Sequence, residues 1–252
     1  CLGNLKIMNQ KKITSNINIL GGYDDFDKLP DMLSDEKMSL HESTISSSKR
    51  YVKAIEEVFI KVDNEYARLL LFSAMKSPHL SYEAKMRILA LQFYATDDLF
   101  KILFDQCFLP VIMSGRIAMT KHDIIAFLDE QIASKTIEVE WTRETIDTVS
   151  RKFLTILKKL GFLEGKVKKK VKEPYLGFDF LVFFHYWLIA HDEATNIFKS
   201  SFFNLLLLSK EKYLFLMKQP EIREKIDWSY AGNKFRIEPK QNLKTYIHEL
   251  SS

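Results

Sequence analysis

Glycine, proline and cysteine are all scarce in this chain of 252 residues. Eight glycines and six prolines are too few to punctuate the turns of a many-stranded sandwich or barrel, and long stretches with helical spacing of apolar residues favour a mainly α-helical protein. The two cysteines, Cys1 and Cys107, give no disulfide framework. Because no cleavable signal sequence is recognisable either, we expect a cytoplasmic location.

Sequence signatures of catalysis are also lacking. The chain contains no P-loop, no dinucleotide-binding glycine motif and no G-x-S-x-G elbow. The six histidines show no zinc-ligand spacing with one another or with Cys107. Pro30-Asp31 followed by Asp35-Glu36-Lys37 superficially resembles a metal-dependent nuclease pattern, but the gap is too short and the segment is predicted to be helical. We therefore expect no enzymatic activity, no metal and no cofactor.

A membrane span is not expected. Residues 176–190 are strongly apolar, but they are few and include Asp179 and His185, whereas a spanning helix needs about 20 predominantly apolar residues. We predict a buried helix there, with His185 as a core residue and not a metal ligand.

Positive charge is concentrated in one short window. Residues 149–172 hold nine cations and one acid, Glu164, for a net charge of +8, although the whole chain sums to only +4. The rest of the chain therefore sums to −4, and such a patch predicts a surface that binds a polyanion, with nucleic acid the first candidate. The predicted DNA-binding residues are Arg151, Lys152, Lys158, Lys159, Lys166, Lys168, Lys169, Lys170 and Lys172.

The order of residues in this window predicts a helix followed by a strand. Val149, Phe153, Ile156, Leu157 and Leu160 form one apolar helical stripe, with Arg151, Lys152, Lys158 and Lys159 on the opposite side. Thr142 caps the helix and Gly161 ends it. In an extended segment, Lys166, Lys168, Lys170 and Lys172 share one face, and Val167, Lys169 and Val171 share the other.

A basic helix and a basic strand are what a winged helix-turn-helix presents to DNA. The connector after the preceding helix of residues 121–134 is longer than a tight helix-turn-helix turn, so we predict only a winged-helix-like arrangement. An alternative explanation is that strand lysines protect an exposed sheet edge from aggregation and that helix lysines are merely solvated.

Along the chain we predict a compact, mainly α multi-helix protein with winged-helix-like elements and two short β-hairpins, near residues 162–172 and 227–237. Residues 1–22 are expected to be a flexible arm, in which residues 1–7 resemble an upstream artefact and Met8 a natural start. Residues 23–141 form a helical part, and residues 142–252 hold the basic helix and strand and a C-terminal helical part. Ala231-Gly232-Asn233 is predicted to join the second hairpin, and Leu243–Leu250 a closing helix.

Several stretches of the sequence together match one known family. They are residues 150–154, residues 157–166 with the sequence LKKLGFLEGK, Pro174-Tyr175, residues 202–211 with FFNLLLLSKE, the Gly232 hairpin and the last helix. On these stretches the chain resembles the BrxA family of bacteriophage exclusion (BREX) defence systems. The Asn-rich start that leads into a short helix also matches. The resemblance implies a compact, mainly helical, cytoplasmic bacterial protein that binds double-stranded DNA without catalysis. It also implies partnership with the methyltransferase, the ATPase and other components of the system, and it transfers no active-site residue.

Two functional hypotheses follow. The first is an accessory protein, expected to be a monomer, that binds duplex DNA through phosphates with little base readout, because lysines outnumber arginines in the patch. The second is a protein-interaction scaffold or an RNA-binding helical domain that uses the same patch.

Overall fold

The structure is a computed structural model, and it describes residues 13, 15–34, 46–166, 169–174, 176–232 and 234–251. The prediction of a mainly helical protein with short hairpins is confirmed. The described residues contain thirteen α-helices and two small antiparallel sheets.

The first seven described helices precede the basic window of residues 149–172 in the sequence. The helices are α1 (Ile17–Leu20), α2 (Leu29–Ser34), α3 (Ser46–Ile55), α4 (Glu65–Lys76), α5 (Tyr82–Thr96), α6 (Asp98–Leu103) and α7 (Leu109–Met113). A 3-10 turn (Asp24–Lys28) precedes α2, and π-helical turns extend α3 (Glu56–Ile60) and α6 (Phe104–Phe108). Side chains of Asn64, Ser81 and Asp97 cap α4, α5 and α6, so short polar residues set these starts as the sequence indicates.

The central part has a winged-helix-like order of helices and strands. It comprises β1 (Ala118–Met119), α8 (Lys121–Ala133), α9 (Arg143–Lys159), β2 (Leu163–Glu164) and β3 (Lys169–Val171). The three strands form one antiparallel sheet in the order β1-β3-β2, so β3 pairs on both sides. Helices α8 and α9 pack against each other.

The C-terminal part is built around one apolar helix. Its elements are α10 (Phe178–Ala190), 3-10 turns (Ile197–Lys199 and Ser201–Leu206), α11 (Lys210–Leu216), α12 (Pro220–Arg223), β4 (Ile226–Ala231), β5 (Lys234–Pro239) and α13 (Leu243–Leu250). Helix α10 is buried from Phe180 to Leu188 and contacts α4, α5, α12 and α13. The prediction of a buried helix is therefore confirmed. No helix in the described part of the chain is long and apolar enough to cross a membrane.

One hydrophobic core runs through the three parts. Phe93 stacks on Phe100 at 4.7 Å between ring centroids, and Phe100 meets Phe153 of α9 edge-on at 5.8 Å. Buried side chains before and after residue 142 therefore share one cluster.

Two local features differ from the sequence-based expectations. A flexible arm was predicted for residues 1–22, but Ile17 and Leu20 are fully buried and α1 packs on α9; residues 1–12 and 14 lie outside the described residues. The second hairpin is present, but Ala231 pairs with Lys234, so the connection has two residues and not three. Residues 201–206 form a 3-10 turn that ends at Leu207 with φ of 51°.

We predict that Leu20→Ala destabilises the protein by about 2–5 kcal/mol, because it leaves a cavity between α1 and the core. Urea unfolding followed by circular dichroism measures the loss. Ile117→Ala is the control, since Ile117 is 70% exposed and should change stability by less than about 0.5 kcal/mol. Equal, small effects of both substitutions would show that α1 is not part of the folded core in solution.

Candidate nucleic-acid interface

Helix α9 is fixed in place by its cap and by its apolar stripe. The Thr142 side chain accepts a hydrogen bond from the Thr145 backbone N–H at 3.2 Å, as predicted for the cap. The predicted stripe is buried throughout, at Val149, Phe153, Ile156, Leu157 and Leu160. Ile146, Ser150 and Leu154 are buried as well, so solvent reaches a narrower part of α9 than an ordinary amphipathic helix exposes.

The basic strand β3 is the central strand of its sheet. Lys170 lies opposite Ala118 on one side and opposite Glu164 on the other. Lys170 is exposed, whereas Val171 is half-buried, in agreement with the predicted alternation. Protection of a free sheet edge therefore does not explain the lysines of β3, because both of its edges are paired within the described residues.

The N-terminal segment covers two of the predicted contact residues. The Lys159 ammonium donates to the carbonyl oxygen of Tyr23 and lies 5.3 Å from the centroid of the Phe26 ring, and burial lowers the pKa of Lys159. Lys152 is half-buried next to Gly21, where an added Cβ would lie 2.8 Å from Lys152 Cβ. The expectation that Lys152 and Lys159 face solvent with Arg151 and Lys158 is corrected, because α1 occupies that side of α9.

The N-terminal segment is anchored by a buried carboxyl group. Asp97 is 1% exposed, and its two oxygens accept from the backbone N–H groups of Asn16 and Phe100. Asp97 therefore caps α6 and holds the start of α1 at the same time. Burial raises the pKa of Asp97 to about 7.

Arg151 is exposed, but its charge is compensated. Its Nε donates to Asp147 at 2.8 Å, and the Lys121 ammonium donates to the other carboxylate oxygen of Asp147 at 2.7 Å. A guanidinium nitrogen of Arg151 also contacts Thr148 at 3.2 Å. These hydrogen bonds lower the pKa of Asp147 and keep it ionised.

Lys169 supports the turn between β2 and β3. Its ammonium donates to the carbonyl oxygens of Gly165 and Lys166, each at 3.1 Å. Desolvation and the nearby charge of Lys158 lower the pKa of Lys169. The side chain of Lys169 therefore has a structural role, although the sequence placed it among the contact residues.

Four of the nine predicted residues remain exposed and without an ion-pair partner among the described residues. They are Lys158, Lys166, Lys170 and Lys172. Lys168 lies outside the described residues. The four lysines come from the end of α9, the turn after β2, and β3 with the residue that follows it. They form a basic surface on the winged-helix-like part, and we refer to them as the four-lysine surface.

Two charged residues that interact with each other next to Arg151 were missed by the sequence analysis. Asp147 lies in α9 just before the basic window, and Lys121 is the first residue of α8. Only the packing of α8 on α9 brings them together. Arg87 of α5 is a third, since it lies beneath the end of α9 with its Nη2 donating to the Gly161 carbonyl oxygen at 2.9 Å. A cation inside the apolar run from Met86 to Leu91 was the sequence signal for Arg87.

The remaining predictions about chemistry concern histidines and metals. His185 is fully buried, its Nε2 pairs with the Tyr213 hydroxyl, and burial lowers the pKa of His185 to about 3. It is therefore a neutral core residue, as predicted. Among the described residues, no group of three or more His, Cys, Asp and Glu side chains could hold a metal ion.

Comparisons with known proteins do not assign a family. No protein-family model matches the chain, and a search of curated proteins finds no significant match.

We predict that Asp97 gives the protein a pH-dependent stability. Because the folded pKa of about 7 exceeds the ordinary value of about 3.9, the folded state retains a proton that the unfolded chain releases between these pH values. The stabilisation is present at low pH and is lost as the pH rises through about 7. Relative to Asp97→Asn, which does not titrate, the free energy of unfolding should fall from pH 4 to 7, by up to about 1.4 kcal/mol per unit.

Urea unfolding of both proteins at several pH values measures this difference. The comparison with the asparagine variant removes the contributions of His185 and His191, whose pKa values are lowered by burial and which change stability in the opposite direction. Parallel pH profiles of the two proteins would show that Asp97 titrates with an ordinary pKa.

Proposed function

We propose that this protein is a non-enzymatic, double-stranded DNA-binding accessory protein of a bacterial BREX phage-defence system. The single observation that supports DNA binding most is the four-lysine surface on a winged-helix-like element. These lysines are exposed and have no ion-pair partner among the described residues, and Lys170 lies on a strand that is not a sheet edge, so edge protection does not account for Lys170. The link to BREX rests on the sequence resemblance alone.

The chemistry of the surface favours contacts to phosphates over reading of bases. Lysine is a flexible point charge, whereas base recognition in the major groove usually uses bidentate arginine, asparagine or glutamine. The one arginine of the window, Arg151, is engaged by Asp147 and Thr148. We therefore infer weak dependence of affinity on DNA sequence and strong dependence on salt.

Partners and location belong to the same proposal. In a BREX system the protein would act in the cytoplasm, as a monomer that joins DNA to the methyltransferase, the ATPase or other components. The test of binding is fluorescence anisotropy with labelled duplex DNA, single-stranded DNA and structured RNA of matched length. Preference for duplex DNA supports the proposal; preference for RNA, or no binding to any of the three, would favour the alternative of an RNA-binding domain or a protein scaffold.

We predict that replacing Lys158, Lys166, Lys170 and Lys172 with glutamine weakens duplex binding and flattens its salt dependence. If all four reach phosphates, the slope of log K against log salt in the unaltered protein should be at least roughly −3 to −4, at about 0.9 per phosphate. The slope of the variant should be smaller in magnitude by that amount. Anisotropy titrations at roughly 50 to 300 mM NaCl measure the affinity and the salt slope.

A matched control removes the same amount of charge elsewhere. Lys28, Lys53, Lys61 and Lys240 are exposed lysines that pair with Asp25, Glu57, Glu56 and Asp227. Their replacement with glutamine also lowers the net charge by four, but it should change affinity and slope much less. Equal losses in the two quadruple variants would mean that net charge alone, and not the four-lysine surface, attracts DNA.

We predict that Asp147→Asn strengthens duplex binding. Loss of the carboxylate releases Arg151 and Lys121 from their ion pairs and leaves two more cations available on α8 and α9. Affinity at low salt should rise several-fold and the salt slope should steepen by about 1–2. The melting temperature should change little, because exposed ion pairs contribute about 0–1 kcal/mol. Weaker binding in a folded Asp147→Asn variant would show that Asp147 orients Arg151 for contact and does not merely neutralise it.

A further inference from the structure

A small pocket of about 200 Å³ lies where the start of α5 meets the end of α9. Four basic side chains line it: Arg87, Lys158, Lys159 and Lys172. Two carboxylates, Glu83 and Glu173, also line it, and Glu173 pairs with Lys212 at 3.2 Å. Positive charge therefore exceeds negative charge around the pocket, and two members of the four-lysine surface, Lys158 and Lys172, stand at its rim.

Arg87 is a buried cation that has no carboxylate partner in the part of the chain that the structure describes. It is 7% exposed, and burial lowers its pKa to about 10, so it remains charged at neutral pH. Its Nη2 donates to the Gly161 carbonyl oxygen at 2.9 Å, and its guanidinium carbon lies 4.2 Å from the centroid of the Phe162 ring. Its Nη1 has no hydrogen-bond partner within the described ranges.

An uncompensated buried charge is costly for a protein to maintain. The Gly161 carbonyl and the face of Phe162 offset only part of this cost, since neither carries a full negative charge. Polar interactions are also stronger near a low-dielectric interior, so the field of Arg87 acts on whatever occupies the adjacent pocket. An anion bound in the pocket would be stabilised by the charge of Arg87. It would also supply the partner that Arg87 lacks among the described residues.

We propose that this pocket binds a phosphate group. A phosphate has several acceptor oxygens and a charge that several cations can share, and the exposed side chains of Lys158 and Lys172 can approach it from the rim. Arg87 forms the floor of the pocket and supplies fixed positive charge. The phosphate comes either from the backbone of bound DNA, in which case the inference rests on the function proposed above, or from a free phosphorylated small molecule.

The first arm of the test measures binding of inorganic phosphate to the full chain by isothermal titration calorimetry, with ionic strength held constant by NaCl. We expect one saturable site. Arg87→Met, which keeps apolar contact with Phe162 but removes the charge, should weaken phosphate binding about tenfold or more. Glu83→Gln, which removes a negative charge from the pocket, should strengthen it.

Folding of each variant is checked by circular dichroism and thermal unfolding. If Arg87→Met does not fold, Lys172→Gln decides, because Lys172 is exposed and its replacement should weaken phosphate binding without disturbing the core. Absence of saturable phosphate binding to the unaltered protein would overturn the proposal. So would phosphate affinity that is unchanged in Lys172→Gln and in a folded Arg87→Met.

The second arm identifies the source of the phosphate and separates this inference from the proposed function. If the pocket holds a backbone phosphate, inorganic phosphate competes with duplex DNA, and Arg87→Met weakens both ligands. If it holds a free phosphorylated molecule, Arg87→Met weakens phosphate alone. Binding of phosphate without binding of duplex DNA would support the pocket proposal and contradict the proposed function. Binding of duplex DNA without binding of phosphate would support the proposed function and contradict the pocket proposal.

Discussion

The burial of α9 is the constraint on which the rest of the structure depends. Phe153 packs against Phe100, and the buried stripe of α9 joins the N-terminal helices to the sheet and to the C-terminal part through one core. Because α1 and α8 both pack on it, only a narrow face of α9 reaches solvent. The charge that the chain offers to a partner is therefore decided by packing, since a lysine in α9 is available only where no neighbouring element covers it.

This constraint divides the basic window into cations with different roles. Lys152 and Lys159 lie against the N-terminal segment. Arg151 donates to Asp147, and Lys169 donates to carbonyl oxygens of the turn before β3. Among the described residues, the lysines that stay exposed without an ion pair lie at the end of α9, in the turn after β2, in β3 and directly after β3. A count of charges in the sequence overstates the available surface by about a factor of two, because it cannot separate a solvated lysine from one that donates to a carbonyl oxygen.

Local features of the fold could be predicted from the sequence, and distant pairings could not. Thr142, the apolar stripe of α9 and the closing helix Leu243–Leu250 follow from capping chemistry and a 3.6-residue period, both of which act over a few residues. The two-residue strand β1 shows no period at all, and its pairing with β3 joins residues about fifty positions apart. The burial of Ile17 and Leu20 was missed for a similar reason, since four helical residues flanked by polar ones give too short a pattern.

The candidate DNA-binding site, like the fold, could be predicted from the sequence only in its local features. Charge density located the window, and the alternation along β3 placed Lys170 on the exposed face, but the partners of Arg151 and Lys169 are set by tertiary contacts. Arg87 is the extreme case, because it lies about seventy residues before the turn whose carbonyl oxygen it binds. A cation in a buried helix was visible in the sequence, yet its neighbours in space were not.

The position of the free lysines also decides which of them are informative about binding. Lys158 lies in the last turn of α9, where a cation is favoured by the negative end of the helix dipole whether or not a ligand is present. Lys170 of β3 lies opposite Glu164 of β2, and such an opposite-charge pair is favourable across a sheet. Lys166 and Lys172, in the turn before β3 and directly after it, have no such local reason. Substitution of these two lysines is therefore more informative about polyanion binding than substitution of Lys158 or Lys170.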